Sequence, residues 1–127
     1  MIQGGESKLI KLHPPLVRVV RLVATVWDII ILETERAHER QVELVRIGAS
    51  KTLESKHLIQ PDGYAHAVDL TPMPVDWNDL SRWSYFGGYC LMAARSLGIP
   101  MTWGGDWNNN TRVKDQTFND LDHLETP

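Results

Sequence analysis

The run YAHAVDL, residues 64–70, limits what this chain can fold into more than any other stretch. Its small, apolar and aromatic residues read as a buried strand, yet it carries the carboxylate of Asp69. A buried, unpaired carboxylate is costly, so the fold must bring a cation or a metal to meet it. Side chains alternate between the two faces of a strand. Tyr64, His66, Val68 and Leu70 therefore share one face, and Ala65, Ala67 and Asp69 the other. The two alanines leave space beside Asp69, and alternation turns His66 away from it. His57 lies beyond a Pro-Asp-Gly turn at 61–63 and can fold back. The expected partner of Asp69 is His57, not His66.

The surrounding chain interleaves helices and strands. HPPLVRVVRLVATVW opens with two prolines, after which Leu16, Val19, Val20, Val23, Ala24 and Trp27 recur at helical spacing. DIIILET is β-branched and apolar, a central strand. ERAHERQVELVRIG is an amphipathic helix ending at Gly48, and ASKTLESKHLIQPDG reads as a loop. After the strand YAHAVDLTP, the segment VDWNDLSRWSYFGGYCLMAARSLG begins with a capping Asn/Asp and is helical to near Gly98. PMTWGGDW is a short strand running into a Gly-Gly turn, NNNTRVKDQTFND a polar loop and DHLE a final strand. There is no internal repeat. The expected architecture is a compact α+β single domain over residues 1–127, with a small, mostly antiparallel sheet packed by helices.

Composition narrows the chemistry. A net charge of −3 gives no electrostatic case for nucleic acid. The single cysteine, Cys90, excludes an internal disulfide and a cysteine-built zinc site; in its apolar helix it reads as core packing. Any metal must be held by His and carboxylate groups. The most apolar run, LVATVWDIIIL, is too short to span a bilayer and contains Asp28, so no membrane insertion is expected. The opening MIQGGESKLIKLHPPLV lacks the layout of a signal peptide, and the expectation is a monomer made in the cytosol.

A metal at Asp69 needs further ligands. The tail FNDLDHLE offers His123, flanked by Asp120, Asp122 and Glu125. A His-Asp-His set with one open position is the usual form of a catalytic zinc site, and a nearby carboxylate then serves as base. Asp120 and Glu125 are the candidates. Each residue also has a plain structural reading: His57 and His123 as surface or capping residues, Asp69 as a cap or a partner of Arg36. On that reading the chain is a metal-free α+β domain with scattered histidines.

These residues resemble a known family. SKH, GYAHAVDL, WGGDW and DLDHLE, in that order, are similar to motifs of the LAS-type zinc peptidoglycan peptidases. That group includes the VanY-type D-Ala-D-Ala carboxypeptidases and the phage L-alanyl-D-glutamate endopeptidases, which share a Hedgehog-like fold. The resemblance covers roughly residues 15–125, and WGGDW after LGIP points to the endolysin branch. One departure stands out: His57 and Asp69 lie 12 positions apart, a longer gap than the family's, read as a lengthened turn, with His66 as the fallback ligand.

The resemblance implies a Zn2+ ion held by His57, Asp69 and His123, with Asp120 as catalytic base. It implies that Arg36 positions a carboxylate or stabilises the oxyanion, although a surface ion pair within ETERAHER is the alternative. Ser55 would support the His57 loop or bind substrate, Trp107 would wall the peptide groove, and Gly105 with Gly104 would let the backbone approach substrate. Trp103 reads as core and Glu125 as support for His123. The implied substrate is the peptidoglycan stem peptide, cut at L-Ala–D-Glu. The alternatives are D-Ala-D-Ala carboxypeptidase activity or a zinc-bearing binding domain without catalysis. The implied setting is a phage endolysin without a separate wall-binding domain. It would be held in the host cytoplasm until a holin opens the membrane.

Overall fold

Two prolines set the first helix. Pro14 and Pro15 occupy the opening turn of α1 (Pro14–Val23), where a missing N–H breaks no hydrogen bond. Leu16, Val19, Val20 and Val23 are buried along its inner face. The helix stops at Val23, so Trp27 lies beyond it. The Trp27 ring packs edge-on against Tyr85, Phe86 and Tyr89 of α3 (Leu80–Ser96). That helix starts at the capping Asn/Asp that the sequence offers: the Asp79 side chain accepts the Arg82 N–H at 3.0 Å and caps it there.

The computed structural model describes residues 1–116 and 119–127. Its five strands are β1 (Ile2–Gly4), β2 (Ile29–Glu33), β3 (Ala67–Pro72), β4 (Thr102–Gly104) and β5 (Asp120–Glu125). They lie in the order β1-β2-β3-β5-β4, parallel between β1 and β2 and antiparallel elsewhere. The helix α2 (His38–Arg46) follows β2. This is the mostly antiparallel α+β sheet expected. Val68, Leu70, Leu124 and Trp103 form one hydrophobic core with the buried residues of α1 and α3. Asp69 and His123 alternate away from that core.

Several boundaries differ from the sequence reading. β1 and a 3-10 helix, Glu6–Lys11, were not anticipated. β1 is three residues long and is defined by pairing Ile2 with Ile29, which no local periodicity reveals. The strand expected from Tyr64 begins only at Ala67, and before it Ala65 bridges singly to Leu12 and Ile59. Of the polar loop expected at 108–120, Thr117 and Phe118 lie outside the described residues, and Asp120 already belongs to β5.

A register fault aims the last strand. Trp103 pairs with Leu124, but the next residue, Gly104, pairs with Asp120, so residues 121–123 bulge away from β4. Gly104 is what lets the strands close. A Cβ there would stand 2.1 Å from the Asp120 carbonyl oxygen. The buried Trp103 ring seals the bulge, its Nε1–H donating to the Leu121 carbonyl at 2.7 Å. Gly104→Ala forces backbone against backbone. The expected cost is about 1–3 kcal/mol, read as a lowered melting temperature in thermal denaturation. An unchanged melting temperature would refute this account of the bulge.

Candidate metal centre

Strand pairing places the first two groups. Asp69 of β3 stands directly opposite His123 of β5, so their side chains share a face. His57 reaches the same point from a turn held on both sides. The Arg36 N–H donates to the His57 carbonyl at 2.8 Å, and the His66 N–H to the Lys56 carbonyl at 2.8 Å. The Ser55 hydroxyl oxygen accepts the His57 N–H at 3.1 Å. The extra residues between His57 and Asp69 form a small hairpin, with Gln60 N–H donating to the Tyr64 carbonyl and Gly63 turning at φ +87°. A lengthened turn thus leaves His57 free to meet Asp69.

The ring orientations suit a cation. His57 Nδ1 donates to the Thr34 carbonyl at 2.7 Å, which leaves Nε2 facing Asp69 Oδ1 at 3.2 Å. His123 Nε2 donates to Glu125 Oε1 at 2.8 Å, which leaves Nδ1 facing the same oxygen at 3.2 Å. Something positive must stand between each nitrogen and that oxygen, either protons or a metal ion. Three ligand atoms around one tetrahedral zinc lie about 3.3 Å apart. The two 3.2 Å separations fit that spacing, and all three atoms lie within 4.8 Å of one another. The donor set therefore fits a divalent metal. The hydrogen bonds on the outer nitrogens fix the tautomers a ligand needs.

Charge accumulates around this point. Burial works against ionised Asp69, but hydrogen bonds and charge from His123 and His57 outweigh it and hold its carboxyl well below the usual range. Burial likewise opposes a charged His123. Its hydrogen bonds to Asp69 and Glu125, and the charges of Asp69 and Asp120, still push it up to about 10. Asp120 Oδ2 lies 3.8 Å from His123 Nδ1. Asp122 is raised to about 8 by burial, then by its hydrogen bond to Asp120 and the charges of Asp69 and Asp120.

Arg36 is partly buried beside Asp69, its Nη2 4.0 Å from Asp69 Oδ2. Its Nε donates to Glu33 and its Nη1 to Gln41 Oε1 at 2.7 Å. Gln41, fully buried, donates in turn to Ser50 Oγ and the Thr52 carbonyl. The surface ion pair expected as the alternative for Arg36 is thus a part-buried network.

A cleft of about 400 Å³ opens over these groups, lined by Arg36, His57, Asp69, Asp120 and His123 together with Ser55, Trp107 and Glu125. The Trp107 ring lies 5.4 Å from that of His123. Gly105 does not line the cleft, which corrects the expectation that it approaches substrate. It is buried against Trp103, where a Cβ would stand 2.3 Å from the ring. Gln41 and Asp122 were missed as contributors. The E-R-Q and D-x-D patterns were visible, but only tertiary pairing shows what they touch.

His66 goes elsewhere. Its ring stacks on His13 at 3.9 Å, its Nε2 faces Asp62 Oδ2 at 2.6 Å, and its Nδ1 donates to the Pro127 carbonyl at 2.7 Å. His13, Asp62 and His66 are also close enough together to hold a metal ion. Nearly parallel rings, 12° apart, cannot both aim in-plane lone pairs at one ion between them. The group instead pins the hairpin to the start of α1 and the end of β5.

The fold has a close counterpart. The crystal structure of Serratia marcescens L-Ala D-Glu endopeptidase ChiX superposes with a TM-score of 0.79 at 32% identity, covering 100% of this chain and 89% of that one. Fold and site together define an α+β domain of the LAS, Hedgehog-like class with a His/Asp cluster able to coordinate a divalent metal. The model of the phage L-alanyl-D-glutamate peptidase family matches residues 1–126, and the chain belongs to that family. Two relatives carry the name L-alanyl-D-glutamate peptidase. The one from Listeria phage A118 is 38% identical over 82 residues, which is 64% of this chain but only 27% of that protein. The one from Escherichia phage T5 is 26% identical over 122 residues, covering 90% of this chain and 85% of that protein.

A ligating imidazole must be neutral, and metal-free His123 holds its proton to about 10. Zinc binding at pH 7 should therefore release at least one proton, and affinity should rise at least roughly ten-fold per pH unit near neutrality. Calorimetry in buffers of different ionisation enthalpy reads the proton directly; no release would contradict the assignment.

For Asp122 the sign runs the other way. Unfolded, it ionises near 3.8; folded, it keeps its proton to about 8, so metal-free stability falls as pH rises between those values. Asp122→Asn keeps a donor for Asp120 and removes that loss. The metal-free variant should melt about 3 °C or more higher at pH 7, with little gain at pH 4. An equal shift at both pH values would exclude titration as the cause.

Proposed function

We propose that this chain is a zinc-dependent endopeptidase that hydrolyses the L-Ala–D-Glu bond of peptidoglycan stem peptides. The observation that supports it most is the meeting of His57 Nε2, Asp69 Oδ1 and His123 Nδ1 at one cleft, with the Asp120 carboxylate beside them. The choice of bond follows the names of the Serratia and phage relatives.

His57, Asp69 and His123 are the residues that would hold the ion. A zinc ion bound there supplies a Lewis acid that polarises a carbonyl and acidifies a water. Asp120 acts as general base, taking the proton of the attacking water and passing it to the leaving amine. Its position three residues before His123, on the bulged strand, brings it within 3.8 Å of that ring. Asp122 hydrogen-bonds to Asp120 and fixes its orientation. Arg36 sets a positive charge at the rim, where negative charge builds on the carbonyl oxygen. Glu125 and the Thr34 carbonyl keep both imidazoles turned inward. Ser55 holds the His57 turn, and Trp107 walls the groove beside His123.

The biological setting that this reading implies is a phage endolysin acting on the wall once a holin opens the host membrane. Support for that setting comes from the kind of family alone. Among the described residues no helix is long and apolar enough to cross a membrane.

The test is mass spectrometry of purified peptidoglycan after digestion with zinc-loaded protein and with Asp120→Ala. New fragments ending in L-Ala, with D-Glu as a new amino terminus, are expected. Asp120→Ala should keep its zinc and lose at least about 100-fold in rate. Removal of a terminal D-Ala alone would make the protein a carboxypeptidase. Intact peptidoglycan despite bound zinc would make it a binding domain.

A further inference from the structure

The cleft is rich in carboxylates: Asp69, Asp120, Glu125 and Glu54 all line it. Three cations line it as well, and they are not equivalent. Arg36 has its fork committed to Glu33, Gln41 and Asp69. Lys51 is exposed on the rim and already engaged within the chain. Lys56 is half-buried, and among the described residues its ammonium makes no hydrogen bond or ion pair. Its backbone is nonetheless fixed: its carbonyl accepts the His66 N–H at 2.8 Å, and its neighbours Ser55 and His57 are held in the same turn. A partly desolvated cation, rigidly based beside a metal-ligand candidate and lacking an anion, is prepared for an anion from outside.

The substrate class offers one. In an L-Ala–D-Glu stem the chain continues through the γ-carboxyl of D-Glu, so the α-carboxylate stays free on the carbon next to the scissile nitrogen. That group must enter a cleft already holding Asp120 and Glu125, where an unpaired negative charge is repelled. We propose that Lys56 is a specificity residue whose ammonium pairs with the free α-carboxylate of D-Glu at the scissile bond. This rests on the endopeptidase reading and gives it a recognition element. The carboxylate-positioning role expected of Arg36 passes to Lys56, and Arg36 keeps the role of holding charge at the ion. Stem peptides in which that carboxylate is amidated offer Lys56 no charge, so the two wall chemistries should be distinguished.

Binding provides the test, because it does not depend on turnover. The probes are a γ-linked D-Glu dipeptide with a free α-carboxylate and the same dipeptide as the α-amide. Both are titrated calorimetrically into zinc-loaded wild type, Lys56→Gln and Lys56→Arg. Wild type should bind the acid about ten-fold more tightly than the amide, the size of one charge-assisted hydrogen bond. Lys56→Gln should lose that ratio by weakening the acid alone, and Lys56→Arg should keep most of it. An unchanged ratio in Lys56→Gln, no discrimination by wild type, or no binding of either probe would each overturn the assignment. Turnover of wild type on stem peptide is read separately. Discrimination without cleavage would leave Lys56 as the carboxylate site and remove the endopeptidase reading.

Discussion

One carboxylate oxygen organises this molecule. Asp69 Oδ1 faces two imidazole nitrogens at 3.2 Å each, from a turn and from a neighbouring strand. A buried carboxylate tolerates such a place only if positive charge stays near it. That requirement ties together parts of the chain that share no local contact: the β2 end through Arg36, the loop through His57, and β5 through His123. The side chain of Asp69 is still slightly exposed, at 15%, so the point where these elements meet remains open to the cleft. A site of this kind is at once a packing constraint and a place where chemistry can occur.

The arrangement around Asp69 is maintained from behind. Each imidazole is turned by an acceptor on its far side, Thr34 for His57 and Glu125 for His123. The bulge in β5 is maintained by glycines that do not themselves line the cleft. Gly87 and Gly105 flank the Trp103 ring, which would meet a Cβ at 2.3 Å from either side, and Gly104 lets the Asp120 carbonyl approach. Trp103 then satisfies the Leu121 carbonyl that the bulge leaves unpaired. The WGG of the sequence therefore shapes the site from behind, through the backbone of Asp120 and the core under the bulge.

This explains which features could be read from the chain and which could not. Period-two alternation along YAHAVDL separated Asp69 from His66 correctly, because a one-residue shift would have exchanged core and cleft faces. The prolines before Leu16 and the Asp79 cap marked helix starts through local chemistry. Gly105 was misassigned because a glycine in a turn and a glycine under a tryptophan look alike in one dimension. Gln41 sits on the buried side of a helix of otherwise modest amphipathicity, and its partners come from residues 50 and 52 across a turn. β1 was missed because its identity lies entirely in its pairing with β2, across 27 positions from Ile2 to Ile29.

The acidity of the centre bears on what it can hold. Asp69, Asp120 and Asp122 bring carboxylate oxygens within 4.8 Å of one another, with Glu125 joined to the adjacent imidazole. Arg36 offsets one of these charges and is shared with Glu33. Left to protons alone, the cluster responds by keeping Asp122 neutral up to about 8 and His123 charged up to about 10. A divalent ion at the His57–Asp69–His123 point would take the place of the His123 proton and set two positive charges next to these carboxylates. A monovalent ion would leave the surplus only half compensated. A trivalent or larger hard cation would prefer more oxygen donors than two imidazoles and one carboxylate provide. The balance of two nitrogen donors against a surplus of acid thus suits a divalent metal.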